Sequence, residues 1–388
     1  MRRLFLNTYF WIRPTVPRPF RMALRRFVAK RSMRSHSASW PINQLAGAAP
    51  RWWRGWPDNK KFAFVLTHDI EGERGLNRCR QLAEMEMSTG FRSSFNFVPE
   101  GEYTPPRVLR EFLVAQGFEV GVHDLTHDGK LYASEKNFRR HAQRINQYLQ
   151  QWGAVGFRSA FMLHNFDWIG DLNVLYDASS FDTDPFEPQP DGLNTIFPVW
   201  VDREVGSGYV ELPYTLPQDS TLFLLLRQTS IETWVRKLDW VAEQGGLALV
   251  NVHPDYLNFN GSVSSYEYGA HLYQRFLDYV GMRYRQEAWF ALPKDVAAHV
   301  HRMKSSLAAA PIATAPSVLE RANPVSDRLY GEATPLPCLS ETTAPADLDC
   351  VKQLEQKANG NGHAFRHAPP IQPNPSLSVG AGFDNSGN

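Results

Sequence analysis

The chain has 388 residues, 43% of them apolar, with 24 Phe and 11 Trp, enough to build a substantial core in one large α/β domain with appendages or in two domains. Its three cysteines, Cys79, Cys338 and Cys350, exclude a disulfide framework and a cysteine metal site, and no apolar run approaches the roughly eighteen residues of a membrane-spanning helix. The net charge of +1 hides a lopsided distribution: residues 1–57 carry twelve Lys or Arg and no Asp or Glu.

That basic arm, residues 1–57, points to an anionic surface, whether membrane lipid, nucleic acid or an acidic glycan. Within it "PFRMALRRFVAK" sets Phe20, Leu24, Phe27 and Val28 at helical spacing, with Arg21, Arg25, Arg26 and Lys30 between them. The pattern fits an interfacial amphipathic helix, which makes residues 1–35 a candidate peripheral membrane contact. It equally fits a helix packed on its own domain with a basic face outward. The arm has no base-reading motif, so no specific nucleic acid is expected. "LFLNTYFWI", after Arg2 and Arg3, is short and interrupted by Asn7, a poor export signal. The expected location is cytoplasmic, at the inner membrane face if the arm binds lipid. The three tryptophans of "RWWRGWPDNKK" are expected to cover the end of a core rather than to line a glycan groove.

Residues 58–304 alternate apolar runs with helical patterns, the signature of βα repeats. Strands are predicted at 62–67, 94–98, 118–122, 155–158, 209–212 and 247–252. Helices are predicted at 76–88, 106–115, 135–150 behind a Ser134 cap, 231–244 behind a Ser230 cap, and 266–285. Strands separated by helices imply a parallel sheet, open or closed into a barrel. Residues 305–388 are rich in Ala, Pro, Ser, Gly and Asn and are expected to be a disordered tail, because they cannot bury enough apolar area to offset chain entropy.

In a parallel α/β sheet ligands bind at the carboxyl ends of the strands, and four of the predicted strands end in titratable side chains. "FAFVLTHDIEGERG" runs into Asp69 and Glu71, "FEVGV" into His123 and His127, the 155–158 run into Arg158, and "LALVNV" into His253. A buried carboxylate is costly unless it is paired or metal-bound. Asp69 and Glu71 are two apart, so in extended backbone they point the same way. His123 and His127 are four apart, which in a helical turn puts both imidazoles on one face. Two histidines and one carboxylate with open positions suit catalytic Zn²⁺, or Co²⁺, Ni²⁺ or Fe²⁺.

Thr67 with Asp69, then "HDLTH", then "FRSA", then the strand ending in His253, resembles the polysaccharide deacetylase family, carbohydrate esterase family four, which shares the chitooligosaccharide-deacetylase homology domain. The resemblance spans about residues 58–300 and keeps the motif order. It implies a distorted (β/α) barrel of about seven parallel strands, and a hydrolase that removes N-acetyl or O-acetyl groups from glycans such as chitin, peptidoglycan and exopolysaccharides. It further implies that Asp69 is the catalytic base and that His123 and His127 are metal ligands. Arg158 would orient the base, His253 would be the general acid, and Asp182 or Asp184, in "SSFDTDPFEP", would orient His253. The chain departs from the family pattern at Ile70, where a second Asp is usual, and at Ala160, where Pro is usual. Glu71 is the residue able to supply the missing metal carboxylate.

The expectation is therefore a metal-dependent deacetylase, most simply with Zn²⁺, acting on an acetylated glycan or a lipid-linked glycan precursor. The alternatives are a non-catalytic carbohydrate-binding domain on the same fold and an amidohydrolase of a small non-glycan amide.

Overall fold

The computed structural model describes residues 10–11, 15–203, 208–261 and 264–309, all within one compact unit. In chain order the strands are β1 (Phe62–Ile70), β2 (Ser94–Phe97), β3 (Glu119–His123), β4 (Gly156–Arg158), β5 (Tyr176–Asp177), β6 (Val199–Val201), β7 (Tyr209–Glu211), β8 (Leu247–Asn251), β9 (Leu257–Asn258), β10 (Tyr268–Gly269) and β11 (Ala288–Phe290). The helices are α1 (Arg18–Ser35), α2 (Glu73–Thr89), α3 (Arg107–Ala115), α4 (Glu135–Trp152), α5 (Phe166–Ile169), α6 (Glu232–Gln244), α7 (Ala270–Tyr284) and α8 (Pro293–Ala309).

Seven parallel strands run in the order β8-β1-β2-β3-β4-β5-β7; β11 joins the start of β1 in parallel, and β6 lies antiparallel on β7. Thr215, just past β7, closes the remaining gap. Its N–H donates to the Leu249 carbonyl of β8 (3.0 Å) and its hydroxyl to that of Leu247 (2.7 Å). The result is the distorted (β/α) barrel that the family resemblance implies, one of the two closures that the alternating pattern leaves open. β1 is buried at all nine positions, as a strand covered on both faces must be.

The core divides into an inner and an outer layer. Inside, Ala63 and Val65 of β1 meet Val210, Leu212, Leu247 and Leu249, with Val296, Ala297 and Val300 of α8 closing the amino-terminal end. Outside, Phe138, Ala142, Ile145 and Leu149 of α4 cover Val122 and Phe157. Trp56 is buried in the inner layer, donates its indole N–H to the Gly245 carbonyl (2.8 Å) and packs edge-on to Trp53, so the tryptophan cluster does cover a core end.

Two local expectations change. Ser134 caps α4 by accepting from Asn137 N–H (3.2 Å), but Ser230 does not cap α6, whose first turn has Ile231 at its cap and no side-chain bond there. The last helix, α8, runs through residue 304 to Ala309. Residues 310–388, nearly all of the expected disordered tail, lie outside the described residues. Among the described residues no helix is long and apolar enough to cross a membrane.

Candidate metal and catalytic site

Side chains alternate across a strand, and this alternation builds the site. Along β1 the inward positions 63 and 65 are apolar, and the next two on the same face are Thr67 and Asp69. Along β8, Leu247 and Leu249 are followed by Asn251 and then His253. Along these two strands the inward face is therefore apolar at one end and polar at the other, where the strands' carboxyl ends converge.

Asp69 is buried and held by three donors. Asn96 Nδ2 donates to Oδ1 (3.0 Å), Arg158 Nη1 to Oδ1 (3.2 Å) and Asn251 Nδ2 to Oδ2 (2.7 Å). Burial alone would raise the Asp69 carboxyl, but Arg158, His123 and His253 outweigh it and hold it below the usual carboxylate range. Arg158 is itself fixed by donating from Nε to the Ala178 carbonyl (2.7 Å) and from Nη1 to Thr67 Oγ1 (2.8 Å) and Asn251 Oδ1 (2.7 Å). Gly121 makes room for this arrangement: a Cβ there would lie 2.2 Å from Asn96 Oδ1.

Glu71, His123 and His127 each offer a ligand atom, and these atoms lie within 4.8 Å of one another. Glu71 leaves the end of β1 in a turn fixed by Asp255, which accepts from the Glu71 N–H (3.0 Å) and the Gly75 N–H (3.2 Å). Only a glycine fits at 75, since a Cβ would meet Asp255 Oδ2 at 2.0 Å. Glu71 Oε1 is 3.3 Å from His127 Nε2, and its Oε2 accepts from the Tyr256 hydroxyl (2.5 Å). The two histidines meet without a helix. His123 ends β3, and positive φ at Asp124 (56°) and His127 (55°) turns the loop back until the ring centroids are 4.9 Å apart. The predicted helical turn is thus a loop that achieves the same pairing.

The donor set fits a divalent transition metal. His123 Nδ1 faces the Arg158 carbonyl at 3.0 Å, which places the proton on Nδ1 and leaves the buried Nε2, which has no hydrogen-bond partner among the described residues, as the ligand atom. Burial, outweighing Asp69, pushes His123 down to about 4, so it is neutral at pH 7 as a ligand must be. Ile70, at the departure from the family pattern, is buried on the opposite face of β1 from Asp69. His68 also turns away, with Nδ1 facing the Val252 carbonyl (2.9 Å) and Nε2 facing Glu86 Oε1 (2.7 Å).

His253 is oriented by a residue that the motifs did not point to. Asp219 Oδ1 lies 2.6 Å from His253 Nδ1, and its Oδ2 accepts from the His253 N–H (2.9 Å) and the Tyr268 hydroxyl (3.0 Å). Burial would lower His253, but Asp219, with help from Glu71 and Asp69, pushes it up to about 10. Asp182 and Asp184, expected in this role, are occupied elsewhere. Asp182 pairs with the buried Lys237 ammonium, and Asp184 accepts from the Tyr214 hydroxyl (2.9 Å). The "SSFDTDPFEP" loop turns both carboxylates onto neighbouring elements, and the π-helical turn 220–225 presents Asp219 instead.

Asn96 and Asn251 had a faint signal in the sequence, since both sit at inward positions of strands. Asp219, Tyr256 and Asp255 had none, because they lie in loops that only the fold brings to the site. Of other polar residues, His164 is buried with Nδ1 3.0 Å from the Met162 carbonyl, and Asn165 caps α5. His299 and His301 belong to the far end, stacked on Trp56 and edge-on to Trp200 respectively.

No family model and no curated protein matches this sequence. Solved structures do. A protein of Mycobacterium smegmatis assigned as a polysaccharide deacetylase superposes with a TM-score of 0.51 at 20% identity, over 67% of this chain and 96% of that one. The peptidoglycan deacetylase PdaC of Bacillus subtilis superposes at 0.38 and 10% identity, over 65% and 97%. The first of these likenesses establishes the fold.

Proposed function

We propose that this chain, which has the polysaccharide-deacetylase fold, is a metal-dependent deacetylase of a glycan or lipid-linked glycan precursor, hydrolysing the non-peptide C–N bond of N-acetyl groups, or the C–O bond of O-acetyl groups. One observation carries the reading. The Glu71, His123 and His127 ligand atoms converge beside a buried Asp69–Arg158 pair on one side and a buried His253–Asp219 pair on the other. The first pair holds a carboxylate ionised and the second holds an imidazole protonated, the two states that base and acid need.

Glu71 Oε1, His123 Nε2 and His127 would hold the metal, most simply Zn²⁺, which when bound acidifies water and polarises an acyl carbonyl. Asp69, kept ionised by Arg158 and fixed by Asn96 and Asn251, takes a proton from the attacking water at a carboxylate oxygen. His253, protonated, gives its Nε2 proton to the departing nitrogen as the C–N bond breaks, so acetate and a free amine leave. Asp219 keeps the other ring proton on Nδ1, so that Nε2 faces the site, 3.9 Å from Glu71 Oε1. Ester cleavage depends less on this proton, because an alkoxide leaves more readily than an amine anion.

The test is elemental analysis of the purified chain together with acetate release from N-acetylglucosamine oligomers and acetylated xylan. Near-stoichiometric transition metal, lost in His123→Ala/His127→Ala, with acetate release abolished in Asp69→Asn, is the expected result. No metal after soaking with zinc or cobalt, and no acetate from any substrate, would overturn the reading and leave a carbohydrate-binding domain.

Burial favours a second reading, the hydrolysis of a small acyl amide. Asp69 and His123 are almost wholly enclosed, and the Glu71 and His127 side chains keep only 24% and 11% of their surface. Turnover of small N-acyl amides with no action on oligomers would select it.

A further inference from the structure

The helix α1 presents two different stripes. Met22, Arg26, Ala29 and Met33 face the protein: Ala29 is buried, the other three are half-buried, and Arg26 Nε donates to the Leu224 carbonyl (3.1 Å). Phe20, Leu24, Phe27 and Val28 form the second stripe and are 68%, 56%, 70% and 55% exposed. With about 3.6 residues per turn, the two stripes lie roughly opposite each other. The exposed stripe therefore points straight away from the protein. Arg21 and Arg25 flank it on one side and Lys30 and Arg34 on the other. Monomeric soluble proteins rarely leave such a contiguous aromatic and aliphatic patch in water.

We propose that this outer stripe of α1 docks on an anionic lipid bilayer, with the apolar side chains in the headgroup boundary and the flanking Lys and Arg against lipid phosphates. Charge complementarity selects the occupant: residues 1–57 carry twelve cations and no anion, a composition that suits acidic headgroups. The inner stripe shows that the helix is anchored rather than adrift. It holds the turn 220–225 next to Asp219, and Ser32 donates to the Pro185 carbonyl (3.4 Å). Upstream, Phe10 is buried against Phe161, whose ring lies 4.8 Å from that of His127. The arm thus borders the candidate site through Phe10 and Phe161. The surface stands independently of the chemistry proposed for the site.

The test is co-sedimentation of the full chain with phosphatidylcholine vesicles, with and without about one-third phosphatidylglycerol. Binding is expected only to the anionic vesicles, weakening at least about tenfold when salt rises from about 0.1 M to about 0.5 M. Phe20→Ser/Leu24→Ser/Phe27→Ser should weaken it by a similar factor with melting temperature and metal content unchanged. Lys30→Glu/Arg34→Glu, which keeps the apolar stripe, should lose the preference for anionic lipid. Failure of the wild type to bind either vesicle, or equal binding by the triple-serine variant, would overturn the proposal. So would a wild-type dimer that this variant turns into monomer, since the stripe would then be a contact between copies, or tighter binding to a protein or RNA partner through the same side chains.

Discussion

Asp219 grips His253 twice, at Nδ1 (2.6 Å) and at the backbone N–H (2.9 Å), so the strand end and the imidazole are fixed by one carboxylate. Asp219→Asn keeps the size but replaces the acceptor at Nδ1 with an amide that can present N–H, freeing the ring to take the wrong tautomer. The expected outcome is a fall in kcat of about 10²–10⁴, the range for a general acid, with metal content retained. Asp182→Asn should leave catalysis much less affected; steady-state kinetics on both variants separates the two roles.

Gly121 sits behind the Asp69 carboxylate rather than in contact with it. In Gly121→Ala the new methyl would collide with Asn96 Oδ1, so Asn96 must shift and release its bond to Asp69. Overpacking of this kind costs about 1–3 kcal/mol. Denaturant melts should show that loss, and activity should fall further than in an equally destabilised variant remote from the site.

Glu119 lies at the other end of β3, buried, accepting from the Tyr176 hydroxyl (2.8 Å) and the Lys294 N–H (3.1 Å). Burial, partly opposed by these donors, pushes it from 4.5 up to about 7. The folded chain therefore keeps a proton that the unfolded chain has released. This contribution is fully present below pH 4.5 and is lost as pH rises to about 7. It amounts to roughly 3 kcal/mol at most. Glu119→Gln should flatten that part of the stability–pH curve; an unchanged slope in chemical denaturation at several pH values would contradict the assignment.

Lys237 and Asp182 form an ion pair with both side chains out of water. Burial raises the Asp182 carboxyl, and Lys237 offsets only part of that. Lys237→Met strands the carboxylate and should cost about 3–5 kcal/mol, whereas Lys237→Met/Asp182→Leu should recover most of it. Thermal melts of the single and double variants give the comparison.

Local pattern alone made the βα alternation, six of the strands and the polar strand ends legible, because a strand buried on both faces must be apolar along its length and the change at Thr67, Arg158 and His253 interrupts that rule. The residues placed at the site by those ends, Asp69, Glu71, His123, His127, Arg158 and His253, do lie together. The choice of Asp219 over Asp182 and Asp184 was decided only by tertiary structure. A loop carboxylate has no periodicity to mark where it points, and its partner is 34 residues away along the chain. The histidine pair is instructive in the same way. Its spacing was legible, but the positive-φ loop that joins it was not, since several backbone paths bring two imidazoles four residues apart into contact. The role of α1's two stripes also needed the fold. Sequence spacing shows that two faces exist, and only the docked helix shows which face is covered and which is left to water.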